Sequence, residues 1–344
     1  MAQKYAKDQP AGFTNRIERV AIVGASGSVG KPIAEELLKT GKHTITALTR
    51  AGSTNVLPAG IRSVAVDYDD EASLVAALQN QQFLIITLAA RAPPESHHKL
   101  VTAAAKAGVP YVMPNCYGFL IADEAVRKEM LVAPQYHASV ADIEAQGVSS
   151  WIALANSFWY EFSLGMSPDS YGFDIPARKA TFYGDGTVKL STTTWQQCGR
   201  AVAALLSLPE LPADENDQAV TLSRWRNDQV SISDFYVSQR DMLDSLHRVL
   251  GTTDGDWTIT YEPVEERYRK GLVDMKAGNL GGYRRAMYAR GFYPDFKDHV
   301  SADQAVNDLL GLPKEDLDAA TKRAIALSEN EIGEATKARY KMVR

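Results

Sequence analysis

Cysteine is scarce in this chain. Its two cysteines, Cys116 and Cys198, exclude a disulfide framework, and no spacing of His and Cys supplies a set of metal ligands. Charge of one sign is missing too: 37 Lys and Arg stand against 42 Asp and Glu, a formal net charge of −5. That balance offers no basic field for a nucleic-acid backbone. No apolar run approaches the roughly 18 residues a membrane helix needs. The opening residues, MAQKYAKDQPAG, are polar, and no apolar segment of the secretory kind follows them. There is no internal repeat, no Gly-x-Ser-x-Gly elbow and no Walker loop. His97 and His98 are adjacent, so a single helix would point them in different directions, away from a shared metal. These absences point to a cytoplasmic protein with no nucleic-acid partner, no membrane partner and no metal.

What remains is ordinary for a globule with a sizeable core: 45% hydrophobic and 23% charged residues in a chain of 344. Short β-branched runs at 17–23, 44–48, 61–66, 83–88, 110–113 and 151–155 read as strands buried on both faces. Helical patterns lie between them at 31–39, 70–78, 95–107 and 123–146. This alternation predicts an α/β fold, a doubly wound parallel Rossmann sheet with a smaller interleaved α+β substrate domain. The dinucleotide domain spans 1–156 and takes in a helix at 195–208 and a strand at 219–222. The smaller domain and C-terminal helices span 157–344. Within it, 156–183 reads as an aromatic loop and 184–186 as a turn. Residues 231–249 read as a helix with Ser233 a possible N-cap, 257–261 as a strand, and the tail from 301 as mostly helical.

The segment Val20-Ala-Ile-Val-Gly24-Ala-Ser26-Gly27-Ser28-Val29-Gly30 runs a strand into glycines and then into a helix with Pro32 in its first turn. Gly24 permits the sharp turn, Gly27 lets the backbone approach a pyrophosphate, and Gly30 lets the helix pack close to the strand. The phosphates would sit on free N–H groups at the positive end of the helix. The second strand ends in Arg50, where an enzyme using NAD usually carries Asp or Glu. A guanidinium there binds a 2′-phosphate through paired donors, which favours NADP(H), with the hydroxyls of Thr49 and Ser53 nearby. Asp67, at the end of the third strand, is placed either to contact the adenine amine or to cap the helix beginning near Asp70.

On these residues the chain resembles the NmrA-like and isoflavone-reductase-like family of atypical short-chain dehydrogenases. Further parts of the resemblance are Ala103-Ala-Ala-Lys-Ala-Gly108-Val-Pro, Pro114-Asn-Cys-Tyr-Gly118 and Ile143-Glu-Ala-Gln-Gly147-Val. The stretch from Ser149-Ser-Trp-Ile-Ala to Phe158-Trp-Tyr-Glu-Phe-Ser is most similar to the CipA-type oxidoreductases of that family. The resemblance implies NADP(H) on the Rossmann domain and a substrate in a cleft beside it. Reductases of the family read Pro-Ser-Glu-Phe-Gly where this chain has Pro114-Asn115-Cys116-Tyr117-Gly118. Their catalytic lysine falls on or beside Tyr136 here, and Lys128 is two turns too early.

Tyr136 and His137 precede the inward-facing Val140 and Ile143 by helical spacing. Either is placed to give a proton to a carbonyl or enone oxygen, or else to serve as packing. Tyr293 and Lys297 match Tyr-x-x-x-Lys but enclose Pro294 and lie late in the chain. In an open α/β sheet ligands sit beyond the carboxyl ends of strands. Leu88, Asn115, Asn156 and Phe158 are therefore further candidates to line the cofactor, and Cys116 reads as an inert thiol. Phe158, Trp159, Tyr160 and Phe162 follow the sixth strand as an aromatic substrate pocket or an interdomain core. Tyr283-Arg-Arg-Ala-Met-Tyr288 reads as a lid or as packing. The leading expectation is an NADP(H)-dependent oxidoreductase of secondary metabolism, a monomer or homodimer acting on a small aromatic or polyketide-like carbonyl or enone. The alternatives are a redox-sensing regulator that binds NADP without turnover, and an isomerase or cyclase on the same fold.

Overall fold

The structure, a computed structural model, describes residues 5–89, 92–93, 95–118, 121, 124–296 and 305–329. Its first part runs β1 (Arg19–Val23), α1 (Gly30–Lys39), β2 (Thr44–Arg50), β3 (Arg62–Val66), α2 (Glu71–Leu78), β4 (Phe83–Ile86), α3 (Glu95–Lys106), β5 (Tyr111–Met113), β6 (Tyr117–Gly118), α4 (Glu124–Glu129), α5 (Ala133–Gln146) and β7 (Ser150–Ala155). Then come β8 (Phe158–Trp159), α6 (Tyr160–Gly165), α7 (Pro168–Tyr171), β9 (Phe173–Asp174), β10 (Lys179–Tyr183), β11 (Lys189–Thr193), α8 (Trp195–Leu206), β12 (Asp228–Ser231), β13 (Phe235–Ser238) and α9 (Gln239–Leu250). The last elements are β14 (Thr258–Glu262), α10 (Val264–Lys276), α11 (Leu280–Gly291) and α12 (Leu317–Glu329).

Eight strands make one parallel sheet in the order β12-β7-β5-β4-β1-β2-β3, with β6 beside β7. The strand order reverses between β1 and β4, the switch point at which open α/β sheets bind ligands. β1 and β4 are apolar on both faces because helices cover both. On one face Ile33, Ala34 and Leu37 of α1 meet Cys198, Ala201 and Val202 of α8. Gly199 allows that close approach, since a side-chain carbon there would lie 2.5 Å from the Pro32 carbonyl oxygen. On the other face Leu74, Leu78, Leu100, Val101 and Ile143 come from α2, α3 and α5. A separate core, with Tyr160, Tyr171, Phe182, Leu246 and Phe292, holds two small sheets, β14-β10-β9 and β13-β11-β8, among the later helices.

Several elements depart from the sequence expectation. The 123–146 helix is broken into α4 and α5, with Pro134 in the first turn of α5 where its missing N–H costs nothing; Asp123 lies outside the described residues. The expected strand at 219–222 gives way to a 3-10 turn at Leu222–Trp225, and β12 forms the sheet edge instead. The 231–249 helix starts only at Gln239. Residues Phe235–Ser238 pair antiparallel with β11, and the N-cap is Ser238, whose hydroxyl accepts from Asp241 N–H while the Asp241 carboxylate accepts from Ser238 N–H. Ser233 has Tyr236 at the matching place and cannot build that box. The aromatic stretch 156–183 is not a loop but carries β8, α6, α7, β9 and β10. In the tail α12 is a helix, while 301–304 and 330–344 lie outside the described residues. No helix among the described residues is long and apolar enough to cross a membrane.

Candidate functional site

Gly24 ends β1 with φ of +81°. A side-chain carbon there would lie 2.1 Å from the Thr87 carbonyl oxygen just past β4, so the turn admits only glycine. Gly30 opens α1 with the equivalent position 2.2 Å from the Gly24 carbonyl oxygen. Gly27 is different: its backbone is ordinary, and a side-chain carbon would meet only the Gly24 oxygen, at 3.1 Å. Its N–H closes the turn on Gly24 O at 2.8 Å. The next amides, Ser28 and Val29, meet no acceptor among the described residues, as expected of the groups that precede a helix. The Val29 side chain is buried in the core and leaves only its backbone to a ligand, while Ser26 is half-buried and Ser28 exposed. The loop is therefore a cradle with one open wall, over Gly27, and a positive helix end behind it.

Arg50 is the exposed last residue of β2. Burial raises the pKa of the nearby Tyr68 phenol, and the Arg50 guanidinium lies close enough to oppose that rise. The Thr49 hydroxyl is turned to β3, 3.2 Å from Ser63 Oγ, and Ser53 closes a turn through its N–H on the Arg50 carbonyl. Asp67 does not cap α2; Asp70 does, accepting from Ala72 N–H. Asp67 instead holds the preceding turn through Asp69 N–H at 2.9 Å.

Beyond β5 and β7 the chain builds a denser polar corner. The Asn115 amide is closed on the Leu88 backbone, accepting its N–H at 3.1 Å, and so ties β5 to β4. Cys116 is buried, which pushes its thiol pKa far up, and its Sγ bonds the Tyr136 carbonyl. The hydroxyl end of the Tyr136 ring closes on Gly118: a side-chain carbon there would be 2.8 Å from Tyr136 Cε2 and 3.2 Å from its hydroxyl. Its hydroxyl donates to the Tyr117 carbonyl at 3.1 Å. Burial raises its pKa well above the ordinary phenol, and no cation counters that rise. His137 is held elsewhere, with Nε2 donating to the Ile121 carbonyl at 3.0 Å. Burial lowers its pKa, with Arg127 adding to the effect. The Gly118 carbonyl accepts from both Asn156 and Ser157 N–H. Ser157 has φ of +55°, a strained value for a residue with a side chain. Asn156 Oδ1, Ser157 Oγ and Tyr117 OH are buried with no partner among the described residues.

The aromatic block does not act as one pocket. The backbone changes from strand to helix at Tyr160, so successive rings diverge. Tyr160 is fully buried in the second core, its hydroxyl 2.7 Å from Thr321 Oγ1, and lines no open space. Trp159, Phe162 and Trp195 pack together 6.0–6.3 Å apart. Phe158 stacks on Tyr288 of α11 at 4.5 Å. Thr87, Gly118 and Ser157 were not marked as site residues by sequence reasoning, and none of them carried a signal; Tyr283–Tyr288, read as a lid or as packing, lies on α11. Lys128 bonds Glu124 on the same helix, and Lys297 lies outside the described residues. His97 and His98 do converge, on the two oxygens of Asp142 at 3.3 and 2.7 Å, a pairing across two helices that adjacency in sequence hides. No group of three or more His, Cys, Asp or Glu fit for a metal occurs among the described residues.

Residues 17–209 match the model of the NmrA-like family. The oxidoreductase aprR of Aspergillus flavus is 27% identical over 309 residues, covering 87% of this chain and 96% of its own length. The solved structure of AtPrR2 with NADP+ and (+)pinoresinol has a TM-score of 0.71 at 20% identity, over 90% of this chain and 99% of that one. The NADPH-dependent quinone oxidoreductase QOR2 of Escherichia coli, solved with NADPH, has a TM-score of 0.58 at 19% identity, over 88% and 98%.

Proposed function

The chain belongs to the NmrA-like family, and on that premise we propose that it is an NADP(H)-dependent oxidoreductase that reduces a small aromatic or polyketide-like carbonyl or enone. The observation that carries this reading is the open wall over Gly27, set at the switch point with Arg50 at the end of the neighbouring strand. The amides of Ser28 and Val29 would hold the pyrophosphate, and Arg50 would bind the 2′-phosphate. Asn156 Oδ1 and Ser157 Oγ offer the unused acceptors that an amide N–H needs. When bound, NADPH supplies the hydride.

Tyr136 supplies the proton. Its burial keeps the phenol neutral, so it serves as an acid and not as a tyrosinate base. The hydroxyl now bonded to the Tyr117 carbonyl turns to the substrate oxygen, and water restores its proton afterwards. His137 fixes the segment at Ile121 and stays out of the transfer. The test is loss of NADPH absorbance with a panel of aromatic ketones, enones and quinones, for the parent, Tyr136→Phe and His137→Gln. Tyr136→Phe should lower turnover by about 10²–10⁴-fold with NADPH affinity nearly unchanged. His137→Gln should stay close to the parent. Tight NADPH binding with no consumption by any compound would favour the regulator, a reading that the lack of a lysine beside Tyr136 among the described residues also supports.

A further inference from the structure

On the second core, three separate segments enclose a cavity of about 570 Å³, within the size range of small-molecule sites. They are the 183–188 turn, the passage from β14 into α10 at 261–265, and residues 292–294 after α11. No residue of the glycine cradle lines it, nor do Tyr136, Asn156, Ser157 or Phe158. Its floor is apolar: Tyr183, Val264 and Phe292 are buried, and the rings of Tyr183 and Phe292 meet edge to face at 5.2 Å. Tyr261 stands at the rim, 66% exposed, edge-on to Phe182 at 5.7 Å. The turn is held from both ends. Gly184 N–H donates to the Glu262 carbonyl at 2.9 Å, and one oxygen of Asp185 accepts the N–H and the hydroxyl of Thr187 at 2.9 and 2.6 Å. Pro263 and Pro294 stiffen the other two segments. The cavity is built before a ligand arrives, which lowers the cost of binding.

Its charge is of one sign. Asp185, Glu262 and Glu265 line it, and none of the lining residues is Lys, Arg or His. Glu262 is matched by Arg267 and Lys270, each at 3.0 Å. Arg267 stands 4.3 Å from the Tyr183 ring centroid but does not line the cavity. Asp185 and Glu265 form no ion pair among the described residues. Two unmatched carboxylates over an aromatic floor suit an organic ammonium. Each exposed charge contributes little in water, and the rings add to the attraction.

We propose that this cavity is a second small-molecule site, for a ligand with a flat apolar ring and one ammonium group. The ring lies over Tyr183, Val264 and Phe292 beside Tyr261, and the ammonium is held by Asp185 and Glu265. This goes beyond the reductase reading and does not depend on it.

The experiment titrates the full chain by calorimetry with tryptamine and with two compounds that carry the same ring, neutral tryptophol and negative indole-3-propionate. Tryptamine should bind about 5-fold or more tightly than tryptophol, and indole-3-propionate more weakly than either. The lead of tryptamine should shrink as salt rises from about 20 mM to about 500 mM. Glu265→Gln, a change on the surface, should weaken tryptamine about 2- to 5-fold and leave tryptophol unchanged. Tyr261→Ala should weaken both by about 3- to 10-fold through loss of the ring contact. Both variants should bind NADPH as the parent does, which reports that the chain is folded and the cradle intact. The proposal is overturned if tryptamine binds no better than tryptophol, if Glu265→Gln leaves tryptamine binding unchanged, or if no binding is seen at millimolar tryptamine. Consumption of NADPH is not read, so failure of the reductase reading leaves this result unaffected.

Discussion

The three glycines of the cradle should separate cleanly when each is changed to alanine, because the structure gives each a different environment. At Gly24 the new methyl would lie 2.1 Å from the Thr87 carbonyl oxygen and force an L residue to hold φ of +81°. The left-handed backbone costs about 1–2 kcal/mol and overpacking about 1–3 kcal/mol. Neither the backbone of Thr87 nor that of Gly24 can move without disturbing the β1–β4 pairing. A loss of about 3 kcal/mol or more corresponds to a fall in melting temperature of roughly 4 °C or more in a chain of 344 residues. Gly30→Ala meets the Gly24 carbonyl oxygen at 2.2 Å and should behave similarly. Gly27→Ala meets only one atom, at 3.1 Å, with an ordinary backbone, so its stability cost should stay under about 1 kcal/mol. Its methyl, however, stands in the open wall. NADPH affinity should fall on the order of 10- to 100-fold as charge-assisted bonds to phosphate lengthen. Thermal melts and calorimetry with NADPH read the two quantities separately. A Gly27→Ala protein that melts as low as Gly24→Ala, or one that binds NADPH as the parent does, would refute the assignment of the open wall to phosphate.

Arg50→Ala should remove most of a preference for NADPH over NADH, about 10- to 100-fold, in paired affinity measurements; equal affinities in the parent would dispose of that role. Asp234 offers a pH test. One oxygen accepts Thr194 N–H at 2.8 Å and the other has no partner among the described residues. Burial first, then Glu315 and Glu161, raises its pKa to about 7. The folded state thus binds a proton that the unfolded state, at about 3.9, releases, so stability is fully present below about pH 4 and is lost as pH rises to about 7. Asp234→Asn keeps an acceptor without the charge, so its melting temperature should gain on the parent between about pH 4 and pH 7 and hold a constant lead above that; a pH-independent difference would rule this out. Cys116 and Cys198, both buried with raised thiol pKa values, should resist iodoacetamide at about pH 8 until the protein unfolds, as mass spectrometry of the alkylated chain can show.

The sheet was legible because its signals are local. Short apolar runs between helices, and a glycine triplet between a strand and a helix, fix β1, α1 and β2 with little help from the rest of the chain. What sequence reasoning missed depends on contacts between distant segments. Residues 235–238, Phe-Tyr-Val-Ser, suit a strand by composition but were read into the helical run that follows them; their pairing with β11, a contact between distant segments, is what separates the two. Tyr160 sits in a run of aromatics, yet a strand-to-helix change buries it under Thr321. Asp142 joins two histidines from a different helix. Tyr136 could be placed on its helix by spacing, but that its ring closes on Gly118 required the fold.

Each strand of the small sheet β13-β11-β8 is spliced directly to an element of the large one: β8 follows β7 across Ser157, β11 leads into α8 at Thr194, and β13 follows β12 across Asp234. The two cores thus share a hydrogen-bonded ribbon, β8 parallel and β13 antiparallel to β11, and three of the chain's passages between them run side by side through it. A proteolytic cut at any one of these junctions would leave the two cores held together by the others, so nicking there should not separate the fragments without denaturant.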